Sequence, residues 1–208
     1  MSLPLWDPRK LLEIPIVYNF FQKVVGADES RREFIKEYIA SFSGGRVLEV
    51  GCGPATNCQW WPDDIEYVGC DLDKEYIAYA KQRYGGRAEF YATPVGGLVG
   101  LGLKPFDAII ALAVLHHLSD DQVTKLCEEA AALLKPGGVF MTGDPCFTAE
   151  QSRVERFVTS CDRGRFMRYP EQYQALLKKQ FPKVSLEMKR SRLLVIHQTG
   201  VLMIAVKE

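Results

Sequence analysis

The sequence predicts a doubly wound α/β fold, and three observations lead there. Five short apolar runs have the character of strands buried in a parallel sheet, amphipathic helical stretches alternate with several of them, and a glycine-rich turn follows the first run. Strands and helices on this spacing imply parallel strands joined by right-handed crossovers, with ligands bound at the carboxyl ends of the strands. At 208 residues, 47% hydrophobic and 25% charged, the chain suits one ordinary globular domain. A chain of this length buries roughly 70% of the surface it exposes when unfolded, enough for a core without disulfides or a structural metal.

Each element has its own signal. From Pro15 to about Ser41, apolar positions recur at three and four residues and are interrupted at Gly26-Ala27-Asp28, which predicts two short amphipathic helices. The strand-like runs are Arg46 to Val50, Glu66 to Cys70, Ala88 to Tyr91, Phe106 to Leu112 and Val139 to Gly143. Tyr76 to Tyr84 reads as a helix. So does Asp120 to Leu134, where Ser119-Asp-Asp-Gln122 forms a capping box, Val123, Leu126, Cys127, Ala130, Leu133 and Leu134 make one apolar face, and Pro136-Gly137-Gly138 ends the pattern. Residues 148–181 read as helical, with Pro170 suited to a first helical turn. Two tail runs follow, Val184 to Met188 and Val201 to Val206; no helix separates them, so the second is expected to pair antiparallel.

Composition narrows the function. With 26 basic and 26 acidic residues the formal charge is zero, which argues against a dedicated nucleic-acid binder. The six cysteines contain no CxxC pair, and the sequence shows no metal-ligand spacing. No secretory pattern opens the chain and no apolar run reaches the roughly 20 residues of a membrane span. A reduced, cytoplasmic setting is therefore expected. Nothing in the sequence sets the oligomeric state.

The sharpest motif is Val47-Leu48-Glu49-Val50-Gly51-Cys52-Gly53-Pro54-Ala55-Thr56-Asn57. Its glycines allow a tight turn and let a ligand approach the backbone. A dinucleotide loop would carry GxGxxG, but Thr56 takes the place of the third glycine. Glu49 is a carboxylate at the end of an apolar strand, where an unpaired charge is costly, so a cationic partner such as an α-amino group is expected. Asp71, 20 residues after Gly51, ends the second strand and is placed to accept hydrogen bonds from ribose hydroxyls. Leu72 is positioned to pack on a purine.

Together these features resemble the class I S-adenosylmethionine-dependent methyltransferases, over roughly Val47 to Glu208. Glu49-Val-Gly51-Cys-Gly53 resembles the first motif and Asp71 the ribose-binding acid. Phe106-Asp107-Ala-Ile-Ile-Ala111-Leu-Ala-Val-Leu-His-His117 is similar to the fourth-strand motif, and Leu134-Lys-Pro-Gly-Gly138 to the turn before the fifth strand. The resemblance implies a mostly parallel seven-stranded sheet with helices on both faces and an antiparallel last strand. It also implies S-adenosyl-L-methionine as cofactor, S-adenosyl-L-homocysteine as product and a small-molecule acceptor. Carried over by position, Glu49 serves the methionine amine, Gly51, Cys52 and Gly53 give backbone contact, Asp71 holds the ribose, Leu72 lines the adenine and Ala111 offers its carbonyl. Thr93 stands where many relatives carry an aspartate for the adenine amine. In this reading residues 1–44 are a helical lid, 45–147 the cofactor-binding core, 148–182 a helical cap and 183–208 the closing strands. The alternatives are a nicotinamide-dependent oxidoreductase and a non-catalytic S-adenosylmethionine-binding protein.

Acceptor-side candidates follow from position. His116 and His117 come after the fourth strand, where an imidazole can take a proton from the acceptor. Tyr18 belongs to the lid, Asp144 ends the fifth strand, and Arg168 closes an arginine-rich run from Arg153 able to bind a carboxylate or phosphate. The zero net charge also hides a division. Residues 1–150 carry 14 basic and 21 acidic side chains, residues 151–208 carry 12 and 5. That division favours an anionic small-molecule acceptor and weakens, without overturning, the argument against RNA.

Overall fold

A computed structural model of the chain describes residues 27–160, 164–193 and 196–208. Tyr18, Cys161 and the first of the two expected N-terminal helices lie outside them. In chain order the elements are α1 (Ala27–Tyr38), β1 (Arg46–Val50), β2 (Glu66–Asp71), α2 (Lys74–Tyr84), β3 (Glu89–Ala92), α3 (Val95–Val99), β4 (Phe106–Leu112), α4 (Asp120–Leu133), β5 (Leu134–Pro145), α5 (Arg153–Ser160), α6 (Pro170–Lys178), β6 (Lys183–Leu193) and β7 (Ile196–Val206). Short 3-10 turns at Ile39–Phe42, Thr56–Trp60 and Leu115–His117 follow α1, β1 and β4.

The sheet has seven strands in the order β3-β2-β1-β4-β5-β7-β6. Strands β1 to β5 run parallel, and β7 is antiparallel to both β5 and β6. Strand order therefore reverses between β1 and β4, where Val50 pairs with Cys70 on one side and with Ala111 on the other. The loops leaving β1, β2 and β4 meet at this switch point, the crevice where such sheets take ligands.

Burial explains the continuous apolar strands. On one face Leu48, Val68, Ile109 and Phe140 pack against α3, α4 and α6; on the other Val47, Tyr67, Ile110 and Met141 pack against α1 and α2. All five residues of β1 are consequently buried, Glu49 included.

Local chemistry sets the helix starts. The Ser119 hydroxyl accepts from the Gln122 N–H and the Gln122 side chain accepts from the Ser119 N–H, the expected capping box of α4. Asp73 caps α2 by accepting from the N–H groups of Glu75 and Tyr76, so the helix begins two residues before its apolar pattern. Pro170 occupies the first turn of α6. The sequence reading missed α3 because Gly96 and Gly97 depress helix propensity over a five-residue element. It also ended the tail strands early: the β6–β7 hairpin continues in register from Lys183 opposite Val206 to Leu193 opposite Ile196.

Candidate functional site

The glycine turn doubles back over the end of β2: the N–H groups of Gly51 and Cys52 both donate to the Cys70 carbonyl, at 2.8 and 3.1 Å. Gly51 (φ +68°) and Gly53 (φ +55°) are in the left-handed region that glycine tolerates, and Ala55 and Ala113 take it without being glycine. A Cβ on Gly51 would stand 2.8 Å from Val114, so this glycine lets the loop after β1 touch the turn after β4. A Cβ on Gly53 would meet nothing within 4 Å, which leaves open space above that peptide.

Asp71 organises the turn. Its Oδ2 accepts from the Gly53 N–H at 2.8 Å and its Oδ1 from the Asp73 N–H at 2.9 Å. A carboxylate oxygen accepts more than one hydrogen bond, so a diol can still be bound on the side away from these amides. Leu72, next along, is 73% exposed, which leaves its side chain open to a planar ring. The Thr93 side chain lies where a Cβ on Gly97 would stand, packed over α3. The Cys52 thiol is turned beneath Gly69 and its pKa is raised by burial and then by Glu49, so Cys52 presents backbone and not a reactive sulfur. Ala111 is fully buried in β4.

Glu49 is buried at the end of β1. Its carboxylate accepts from the Asn57 amide at 2.6 Å and from the Tyr67 hydroxyl, so donors from within the fold help to hold the buried charge. Burial, then the charge of Glu49, pushes the Tyr67 hydroxyl well up, which keeps it a donor. Asn57 and Tyr67 escaped the sequence reading because neither stands at a motif position.

On the acceptor side, His116 and Asp144 form a buried pair. Asp144 Oδ1 lies 2.8 Å from His116 Nδ1 and accepts the His116 backbone N–H at 3.1 Å. Asp144 Oδ2 and the Thr142 hydroxyl, on the same face of β5, are buried without a hydrogen bond. The His117 ring, tilted 41° to that of His116 with centroids 4.1 Å apart, is exposed, whereas His116 is only 2% exposed. Asp144 therefore faces the imidazole and not an open pocket.

Arg168 is also placed differently from its expected role. It is 6% exposed, and all five of its N–H groups have partners. Nε and one terminal nitrogen donate to Asp120, and the terminal nitrogens donate further to the carbonyls of Leu115, Leu118 and Phe166. The guanidinium thus ties the turn after β4 to the segment before α6, which leaves no donor for an acceptor's carboxylate or phosphate. Among the described residues no group of three or more His, Cys, Asp or Glu side chains is arranged to hold a metal ion.

Residues 47–138 match the model of the methyltransferase domain family. The chain is 29% identical over 138 residues to a ubiquinone biosynthesis O-methyltransferase of Bordetella avium, a stretch covering 64% of this chain and 52% of that protein. It spans about half the length of the curated ubiquinone biosynthesis relatives it matches. Among solved structures, a SAM-dependent methyltransferase from Archaeoglobus fulgidus superposes with a TM-score of 0.72 at 17% identity, covering 91% of this chain and 99% of that one. The N-methyltransferase NodS of Bradyrhizobium japonicum, solved with S-adenosyl-L-homocysteine, gives 0.65 at 17% identity over 86% of each chain. The open glycine turn, Asp71 and Leu72 are compatible with a nucleoside that carries an amino-acid end. By its domain match over residues 47–138 and by its fold, the chain is similar to the class I S-adenosylmethionine-dependent methyltransferases.

Proposed function

We propose that this protein transfers the methyl group of S-adenosylmethionine to a small-molecule acceptor. The observation that carries the reading is the coupled geometry of Gly51, Gly53 and Asp71 at the switch point between β1 and β4. Asp71 receives the ribose hydroxyls, Leu72 covers the adenine, the Gly51–Gly53 turn and the Ala111 carbonyl border the methionine, and Glu49 with Asn57 and Tyr67 forms the floor beneath its amine. When bound, the cofactor supplies an electrophilic methyl carbon on a sulfonium that departs as a neutral thioether. The chain's main contribution is to hold the acceptor in line with that carbon.

Similarity to ubiquinone biosynthesis O-methyltransferases supports a hydroxyl as the acceptor group. Such a group loses its proton as the new bond forms. His116 takes that proton on Nε2 while Asp144, bonded to Nδ1, stabilises the resulting imidazolium. Five described cysteines are buried free thiols, which supports a reducing, cytoplasmic setting.

Titration calorimetry with S-adenosylhomocysteine is the direct test. Binding in the micromolar range is expected, and Asp71→Ala weakens it roughly 10- to 100-fold, the worth of one or two hydrogen bonds to a charged group. No binding at millimolar ligand would overturn the reading. A non-catalytic binder would bind equally well yet release no S-adenosylhomocysteine with any acceptor.

A further inference from the structure

Asn57 has one side-chain group in use and one left over. The residue is only 8% exposed; its Nδ2 donates to Glu49 Oε1 at 2.6 Å, while its Oδ1 is buried and has no hydrogen bond. The sense of the carboxamide is fixed, because turning it over would set its oxygen against the Glu49 oxygen. The buried Trp61 Nε1, a donor at the end of the same turn, also lacks a partner, so the fold does not bring the two together. Interiors seldom leave a buried acceptor bare, since its lost contact with water is then not replaced.

The place of this oxygen narrows what it serves. Asn57 lies in the 3-10 turn Thr56–Trp60, entered through Ala55 at φ +55°, soon after the Gly51–Gly53 turn that leaves β1. It stands beside the buried carboxylate of Glu49, whose field favours a cationic donor over a neutral one. By accepting from Nδ2, Glu49 also polarises the carboxamide and makes Oδ1 a better acceptor. An aspartate here would set a second carboxylate against the first, whereas the amide supplies an acceptor without that repulsion.

We propose that Asn57 Oδ1 accepts a hydrogen bond from the α-ammonium group of the bound cofactor, and that Asn57 thereby sets the preference for nucleoside thioethers that carry this amine over those that lack it. The proposal rests on the reading of the turn after β1 as the cofactor site. Glu49 provides the field and Asn57 the directional acceptor. Because Nδ2 is already tied to Glu49, the carboxamide is oriented before the ligand arrives.

Titration calorimetry on the full chain, comparing S-adenosylhomocysteine with its deamino counterpart in which hydrogen replaces the amine, tests this. The unaltered protein is expected to prefer S-adenosylhomocysteine by about 30-fold or more. Asn57→Ala lowers the affinity for S-adenosylhomocysteine roughly 10-fold and changes that for the deamino ligand by less than about twofold. Equal weakening of both ligands, the mark of a merely structural role, overturns the proposal, as does an unchanged ratio. Repeating the substitution in Glu49→Gln separates contact from action through the carboxylate: a direct acceptor still reduces the preference by about threefold or more there, and loss of that effect overturns the contact. In the unaltered protein the carboxamide carbon resonance of Asn57 is expected to move downfield with S-adenosylhomocysteine and to stay in place with the deamino ligand. This readout decides alone if a variant does not fold, and an equal response to both ligands overturns the proposal. Failure of the unaltered protein to bind S-adenosylhomocysteine removes the cofactor reading itself, whereas binding without preference for the amine removes only the role of Asn57.

Discussion

At the scale of single residues, the site depends on which polar groups the interior satisfies. Glu49 stands out in the sequence as a carboxylate in an apolar strand, but its partners do not: Asn57 and Tyr67 are ordinary residues until β1, β2 and the intervening 3-10 turn bring them together. Tyr67→Phe leaves Glu49 one donor short in a buried site and is expected to cost about 2 kcal/mol. Urea unfolding measures it, and an unchanged midpoint would mean that the hydroxyl contributes nothing to holding the charge. Arg168 teaches the converse. An arginine in a basic run reads as available to an anion, yet its fate is set by carbonyls at Leu115 and Leu118, about 50 residues away, which no local pattern encodes. Likewise, two adjacent histidines are indistinguishable in the sequence, and the register of the turn after β4 decides that His116 faces Asp144 while His117 faces outward. The place of Asp71 at the end of β2 was legible because it follows from the strand pattern alone.

At the scale of elements, the helices with capping signals were readable and the short one built on glycines was not. The capping logic also predicts a pH response. Ser152 and Glu155 form a reciprocal cap at the start of α5: the Ser152 N–H donates to Glu155 at 2.8 Å, and the Glu155 N–H donates to the Ser152 hydroxyl at 3.2 Å. The Ser152 amide, then Arg190 of β6 at 2.9 Å, hold the Glu155 carboxyl down from 4.5 to about 2. A carboxylate with a depressed folded-state pKa contributes stability that is present above its unfolded value and lost as pH falls through its folded value. The melting temperature should therefore fall between about pH 4.5 and pH 2, with a shallower slope in Glu155→Gln over that window. Identical slopes would show that the cap does not couple to global stability. Because Arg190 links α5 to β6, the same acid limb also reports how firmly the cap region is tied to the sheet.

At the scale of the whole molecule, cofactor binding is the largest lever on stability. A ligand held only by the folded state adds about 2.7 kcal/mol at 100 times its Kd. For a chain of this size that raises the melting temperature by roughly 5–10 °C. S-adenosylhomocysteine should produce this shift and NAD should not; equal shifts would point to a nucleotide site without selectivity for the sulfur end. The charge division seen in the sequence also changes meaning. Several basic side chains of β6 meet acids in the folded chain: Lys189 meets Glu37 and Glu187, Lys183 meets Glu208, and Arg190 meets Glu155. Part of the excess that suggested an anionic acceptor therefore does structural service away from the site. The position of β6 gives those cations one more consequence. The sheet ends in a four-residue strand on one side and in this charged strand on the other, so neither rim offers a long apolar template for a neighbouring chain. Lysines and arginines that pair with acids within the fold thus also act as gatekeepers against amyloid-like growth in a crowded solution.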